Sequence, residues 1–318
     1  MSKIEDLKKR NTSKIEKCFY DGQIWTKNAL SMATGISKAG VTNILKDLLE
    51  CRKIIFVGEA HSTGGRKSKQ YQINKDYFHI GKVVLLKKKN HYQFISQSVD
   101  LLDQLFYEDC LITQNGTIDE LKTIISTLIE QDNKIATMCL SVPGICEDGY
   151  LSVCDFHQLQ ALDLKDKLKI FKNINIIIEN DVNVASIGLS HQLNQPNLAL
   201  LFQPETEYVG CGMIIHGQLY NGFSHFAGEL RYLPFYSHEM QDIMLKENPK
   251  ELLRLQIETI CCVINPKVIC LCSDVLNGDD LKMIEFNLPK QHISKIYIVE
   301  NLNQFLYKGL YYIAINNI

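Results

Sequence analysis

At 318 residues, with 46% hydrophobic and 22% charged side chains, the chain has an ordinary globular composition and length for two or three domains. No apolar run reaches the about 18 residues that a membrane-spanning helix needs, and the charged start MSKIEDLKKR is unlike a secretory signal, so the expected location is the cytoplasm, with no membrane partner. The net charge of −2 hides an asymmetry: residues 1–75 hold 15 Lys+Arg against 7 Asp+Glu, and the rest 19 against 29, so only the first part suits a polyanion.

In chain order, residues 14–20 and Trp25 predict a helix and a strand that brace the next segment. Residues 26–67 predict a short helix with Ala29, Leu30, Met32 and Ala33 as its apolar positions, then a turn at Gly35 that uses the φ > 0 freedom of glycine. Ser37 is placed as an N-cap. It opens a longer helix whose stripe Val41, Ile44, Leu45, Leu48 and Leu49 has the spacing of one buried face. The other face carries small, polar and cationic residues. Two β-prone runs, 54–57 and 70–73, then flank a tip with two glycines, Arg66 and Lys67. Short polar donors on a helix suit base edges, and cations suit phosphates. The residues expected to face DNA are Thr26, Ser37, Lys38, Ala39, Thr42, Asn43, Lys46, Arg66 and Lys67.

After a polar hinge at 74–77, residues 80–87 and 91–98 predict paired strands turned at 87–90. Residues 118–129 predict a helix started near Thr117, and 135–142 a buried strand ended by Pro143-Gly144. Residues 162–171 read as a helix, and 174–178 as an apolar strand covered on both faces. A helix follows Glu179-Asn180-Asp181, then strands at 198–202 and 209–215. One long helical pattern spans 239–264. A strand at 268–272, a helix at 279–285, a strand at 296–299 and a closing helix at 302–315 complete an α/β alternation. No internal repeat is evident. The 11 cysteines are odd in number, and their only close pairs, Cys261-Cys262 and Cys270-x-Cys272, fall in apolar stretches, so they read as reduced core residues and not as metal ligands.

Five segments in this order resemble the ROK family of repressors, open reading frames and sugar kinases. They are the helix-turn-helix with its wing STGGR (residues 62–66), SVPGI (141–145), IENDVNVA (178–185), GCGMIIHGQLYNG running on to AGEL (210–222 and 227–230), and INPKVI (264–269). The resemblance implies an N-terminal winged helix-turn-helix (residues 1–76) and a two-lobed actin-like, ribonuclease-H-type body (residues 77–318), with a sugar cleft between the lobes. It also implies that Asn180, Asp181 and Glu229 accept sugar hydroxyls and that Gly144 borders the pocket. In kinases of the family the aspartate serves as base. The reading without a ligand is that Asn180 caps the following helix and Asp181 stabilises its N-terminus.

The departures from the family pattern bear on activity. The phosphate loop of family kinases aligns with residues 83–87 (VVLLK), which offer no carboxylate for Mg²⁺ and no glycine. A second phosphate loop aligns with Thr206-Glu207-Tyr208, and the adenosine turn with Cys272-Ser273-Asp274. The zinc cysteines are missing from residues 233–250, and the expected histidine is Tyr232. The expectation is therefore a transcriptional regulator and not an enzyme, without cofactor or metal. It would bind a double-stranded DNA operator as a homodimer or dimer of dimers, and repress carbohydrate-utilisation genes. Its effector would be a sugar or sugar phosphate; the alternatives are control by a protein partner, or a sugar kinase.

Overall fold

The structure, a computed structural model, describes residues 3–60, 67–204 and 209–317. The N-terminal module begins with α1 (Lys3–Phe19), followed by β1 (Trp25–Thr26), α2 (Lys27–Thr34) and α3 (Lys38–Glu50). Thr26 caps α2, its hydroxyl accepting from the Ala29 amide at 3.2 Å, and Gly35 ends the helix at φ 71°. Ser37 caps α3, accepting from the Gly40 amide at 3.2 Å. Val41, Ile44, Leu45 and Leu48 are buried as the stripe requires. Met32, expected to be apolar core, is 87% exposed, because α2 buries only Leu30 and has no neighbour on that side. The strands β2 (Ile54–Glu59) and β3 (Lys69–Ile73) pair antiparallel, with β1 on the other side of β3.

The first lobe contains β4 (His79–Lys88), β5 (His91–Val99), β6 (Leu105–Thr113), α4 (Ile118–Gln131) and β7 (Ile135–Val142). A hairpin of β8 (Gly144–Glu147) and β9 (Tyr150–Cys154) follows, then α5 (Leu164–Lys167), β10 (Asn175–Asn180) and α6 (Asp181–Leu193). The second lobe holds β11 (Leu198–Gln203), β12 (Gly210–Ile215), β13 (Gln218–Leu219), α7 (His238–Glu247), α8 (Pro249–Val263), β14 (Val268–Ser273), α9 (Gly278–Lys282), β15 (Lys295–Ile298) and α10 (Asn303–Asn316).

The sheet orders are β10-β7-β4-β5-β6 and β13-β12-β11-β14-β15. In each, the first strand pairs antiparallel with the second and parallel with the fourth, so both lobes have one topology although the sequence shows no repeat. Topology is set by which strands bury together, and many apolar sequences satisfy the same burial.

Four expectations differ from the structure. The β6 strand and the β8–β9 hairpin were not anticipated. The helix expected over 162–171 is reduced to α5, anchored by buried Leu164 and Leu168. The pattern over 239–264 is two helices, because Pro249 cannot continue α7 and opens α8 instead. Finally, β10 is half-buried, since it forms a sheet edge and not a centre.

Two helices lie between the sheets. α10 packs on β7 and β4 of the first lobe, α6 on β11 and β12 of the second, and the two helices pack on each other. A Cβ on Gly309 would lie 1.9 Å from the Val184 carbonyl oxygen, and one on Gly188 2.3 Å from that of Phe305. Only glycine permits backbones this close. His191 and Tyr312 stack at 3.4 Å farther along the same pair.

Candidate nucleic-acid interface and ligand cleft

Between α3 and the β2–β3 hairpin lies an open groove of about 980 Å³. Lys38, Thr42 and Lys46 of α3 line one side, and Lys67 and Lys69 the other, with Lys27 and Asn28 at the end. Five lysines face two glutamates, Glu50 and Glu59, so the groove is cationic. Lys38, Ala39, Thr42, Asn43, Lys46 and Lys67 are all exposed. Thr26 and Ser37 have hydroxyls engaged as helix caps, and the Thr42 hydroxyl donates to the Lys38 carbonyl at 2.7 Å. These three set helix geometry, so the Asn43 amide and the exposed Lys38 are the α3 donors best placed to reach DNA. Lys46 pairs loosely with Glu50 at 3.6 Å across an exposed helix face, a contact worth little. Arg66 lies outside the described residues, as do residues 62–65 of the expected wing tip. Lys27, Asn28 and Lys69 are groove residues that the sequence reading missed. Their signal was charge directly after the Thr26 cap and at the start of β3.

The second site lies where the lobes meet. Gly144, Asn180 and Glu229 line one small cavity together with Asn183, Cys146, Cys211 and His225. The Asn180 side chain does two jobs. Its Nδ2 donates to the Gly144 carbonyl at 2.6 Å, and its Oδ1 accepts from the Asn183 amide at 3.0 Å, capping α6. Gly144 has φ 130°, and a Cβ there would lie 2.2 Å from the Val153 carbonyl oxygen, so the hairpin requires glycine. Glu179 accepts from the Asn180 amide at 2.9 Å and from Asn183 Nδ2 at 3.0 Å.

Asp181, the fourth expected ligand residue, is not part of the cavity lining. Its Oδ1 accepts from the Val182 amide at 2.9 Å. Burial, and secondly the Asp155 carboxylate, push its pKa up to about 7. Burial also raises that of Glu229. Because ionised Asp181 is disfavoured in the fold, stability should fall as pH rises from about 4 toward 7 and level off above it. Asp181→Asn should flatten that slope in pH-dependent urea denaturation; an unchanged slope would place the titration elsewhere.

The cavity measures about 40 Å³, room for a water or two, against the about 300 Å³ or more of ordinary ligand sites. Among the described residues, no lysine or arginine lines it. Three of the four expected pocket residues therefore converge, around a space too small for a sugar.

The kinase elements take a different form from the one expected. Val83, Val84 and Leu85, which align with the phosphate loop, are buried inside β4, and the turn that closes the hairpin is Lys89-Asn90. That turn also lacks both a carboxylate and a glycine. Residues 206–208 of the second loop lie outside the described residues. At the adenosine turn, fully buried Gln203 donates to the Pro249 carbonyl at 3.2 Å and accepts from the Ser273 hydroxyl at 2.7 Å. The Asp274 amide donates to the Gln203 carbonyl at 2.8 Å. In this segment the chain's own polar groups satisfy each other.

Where relatives would hold zinc, buried Gln241 of α7 donates to the Arg231 carbonyl at 2.6 Å, with those of Leu233 and Tyr236 at 3.4 Å. The Arg231–Asp242 ion pair at 3.2 Å adds a second tie. One amide thus holds the segment that follows Glu229. Gln241→Leu should destabilise the protein by about 1–3 kcal/mol, since a buried donor is removed from acceptors that keep their desolvation penalty. Thermal unfolding tests this, and a midpoint equal to wild type would remove Gln241 from that role.

Two sheets of one ribonuclease-H-type topology around a central helix pair define a mixed α/β, actin-like kinase fold. Residues 104–241 match the ROK family. It is 25% identical over 230 residues to the xylose repressor of Staphylococcus xylosus, covering 69% of this chain and 59% of that protein. The chain thus spans about three fifths of the length of that curated relative. A solved ROK family transcriptional regulator, a homologue of the E. coli MLC protein, superposes with TM-score 0.69 at 14% identity over 98% of this chain and all of that one. The ROK hexokinase of Thermus thermophilus superposes with TM-score 0.57 at 11% identity, over 76% of this chain and 100% of its own. Among the described residues, no helix is long and apolar enough to cross a membrane.

Proposed function

We propose that the chain is a sugar-responsive transcriptional repressor. Residues 1–76 act as a winged helix-turn-helix on a pseudo-palindromic operator, and residues 77–318 act as the effector-binding and dimerisation body. The observation that carries this reading is the lysine-lined groove between α3 and β3. An α-helix with exposed Lys38, Thr42, Asn43 and Lys46 fits the major groove, and the hairpin lysines fit flanking phosphates. The relative named as a xylose repressor supports the same reading. One module offers few base contacts, so two copies on one operator supply affinity and set half-site spacing.

The effector is a neutral sugar and not a sugar phosphate. The cavity carries Asn180, Asn183 and Glu229 to exchange hydrogen bonds with hydroxyls and, among the described residues, no lysine or arginine to meet a phosphate. Its closed volume requires the lobes to part for entry, so sugar binding selects a different lobe arrangement. The enzyme reading needs a nucleotide site, and the Gln203–Ser273 contact in the segment that aligns with the adenosine turn supports the reading without one. Control by a protein partner is favoured by one observation only, the cavity's small size.

Selection of duplex DNA from a random pool should enrich an inverted repeat, and a thermal-shift screen of neutral sugars should find a ligand that adds nearly 3 kcal/mol at about 100 times its Kd. Glu229→Gln should keep DNA binding and lose the sugar response, because Glu229 lines the cavity. An unstructured pool of selected sequences would sink the DNA reading. A panel without any shift would favour the protein partner, and ADP formed from ATP with any sugar would restore the kinase.

A further inference from the structure

The turn between β5 and β6, residues 100–104, touches both the N-terminal module and the helix pair that ends at the cleft. On the module side, Lys75 Nζ donates to Asp100 Oδ2 and Gln104 Oε1, each at 3.0 Å, and the Leu101 amide donates to the Lys75 carbonyl at 3.0 Å. Lys75 directly follows β3 and Asn74, whose amide donates to the Lys53 carbonyl inside the module. The other oxygen of Asp100 accepts from the Leu102 and Gln104 amides, so one buried carboxylate both shapes the turn and holds the hinge.

On the body side, Asp103 bridges two cations. Its Oδ1 accepts from buried Lys82 of β4 at 2.9 Å, and its Oδ2 from Lys308 of α10 at 2.9 Å. The Tyr311 hydroxyl of α10 donates to the Leu101 carbonyl at 2.9 Å in a buried setting. Asp103 holds φ 61°, the left-handed turn conformation that aspartate tolerates better than most side chains. α10 in turn meets α6 at Gly309 and Gly188, and α6 begins with the Asn180 and Asn183 side chains of the cleft. Helices packed this closely move together, since separating them would open a void in a close-packed interior.

From these contacts we infer that the turn at residues 100–104, clamped by Lys308 and Tyr311 on one side and by Lys75 on the other, is the relay through which the state of the cleft sets the position of the N-terminal module. The relay gives a physical route to the sugar response of the proposed function and rests on that reading for its purpose, but its mechanics need neither DNA nor sugar. Asp103 and Asp100 are positioning residues here, acting on the hinge through hydrogen bonds.

The test is a cycle in the free, full-length protein, read by hydrogen–deuterium exchange over residues 72–78. Asn180→Ala removes the α6 cap and the tie to Gly144, and so perturbs the cleft end. In the wild-type background it should raise exchange at the hinge by at least about twofold, the weaker end of couplings carried by packed networks. In a Lys308→Met/Tyr311→Phe background, which keeps the apolar bodies and the Lys82–Asp103 pair, the same substitution should leave hinge exchange unchanged, while exchange at residues 180–186 still rises. An equal increment in both backgrounds, or none in the wild type, overturns the relay. Failure of DNA selection or of the sugar screen bears on the proposed function alone, because exchange is measured without either ligand.

Discussion

Alanine at Gly309 should destabilise the protein by about 1–3 kcal/mol or more, the range for forcing atoms into a filled interior. Two effects oppose each other at this position. Gly309 lies within α10, where alanine is intrinsically favoured by about 1 kcal/mol, and its φ is not in the left-handed region. Against that, the new Cβ would lie 1.9 Å from the Val184 carbonyl oxygen and 2.8 Å from Val184 Cγ1. A contact that short must be relieved by moving α10 from α6, which also strips the His191–Tyr312 stack. Sterics should win. Gly278→Ala is the control, because it too stands in a helix but its Cβ would meet nothing within 4 Å. Urea denaturation of both variants decides the matter, and a Gly309→Ala protein as stable as wild type would show that the helices separate at little cost.

The second large effect concerns the groove. Replacing Lys38 and Lys67 together with alanine should lower operator affinity roughly tenfold or more near physiological salt. The slope of log K against log salt should flatten by about 0.9 for each phosphate that is no longer neutralised. Both lysines are exposed on opposite walls of the groove, so their removal should leave folding intact. Asn43→Ala serves as the contrast. Removing a base-edge hydrogen bond there should relax sequence preference by about 1–3 kcal/mol without changing the salt slope. Unchanged affinity and slope in the double lysine variant would move the DNA surface away from α3 and the hairpin.

Much of this protein was legible in its sequence because the signals are local. The caps at Ser37 and Thr117, the left-handed Gly35 and the apolar stripe of α3 are fixed by neighbours within four residues. Such short-range chemistry survives any tertiary context. The motifs around Asn180 and Glu229 were also readable, and the structure brings both to one cavity.

The features that the tertiary structure alone decided depend on distant partners. β6 escaped notice because Glu108-Asp109 interrupts its apolar alternation, and its strand state comes from pairing with β5. Met32 looked like core and lies in the open, since α2 has only one buried face to offer. Asp181 was expected in the pocket; it does not line the small cavity, and its carboxyl accepts from the Val182 amide. The duplicated sheet topology, the glycine contact of α6 with α10, and the Asp100–Asp103 turn that joins module to body all arise from residues tens to hundreds of positions apart. Lys308 and Asp103 are separated by 205 positions. Sequence spacing carries no record of such contacts; packing of the two lobes creates them.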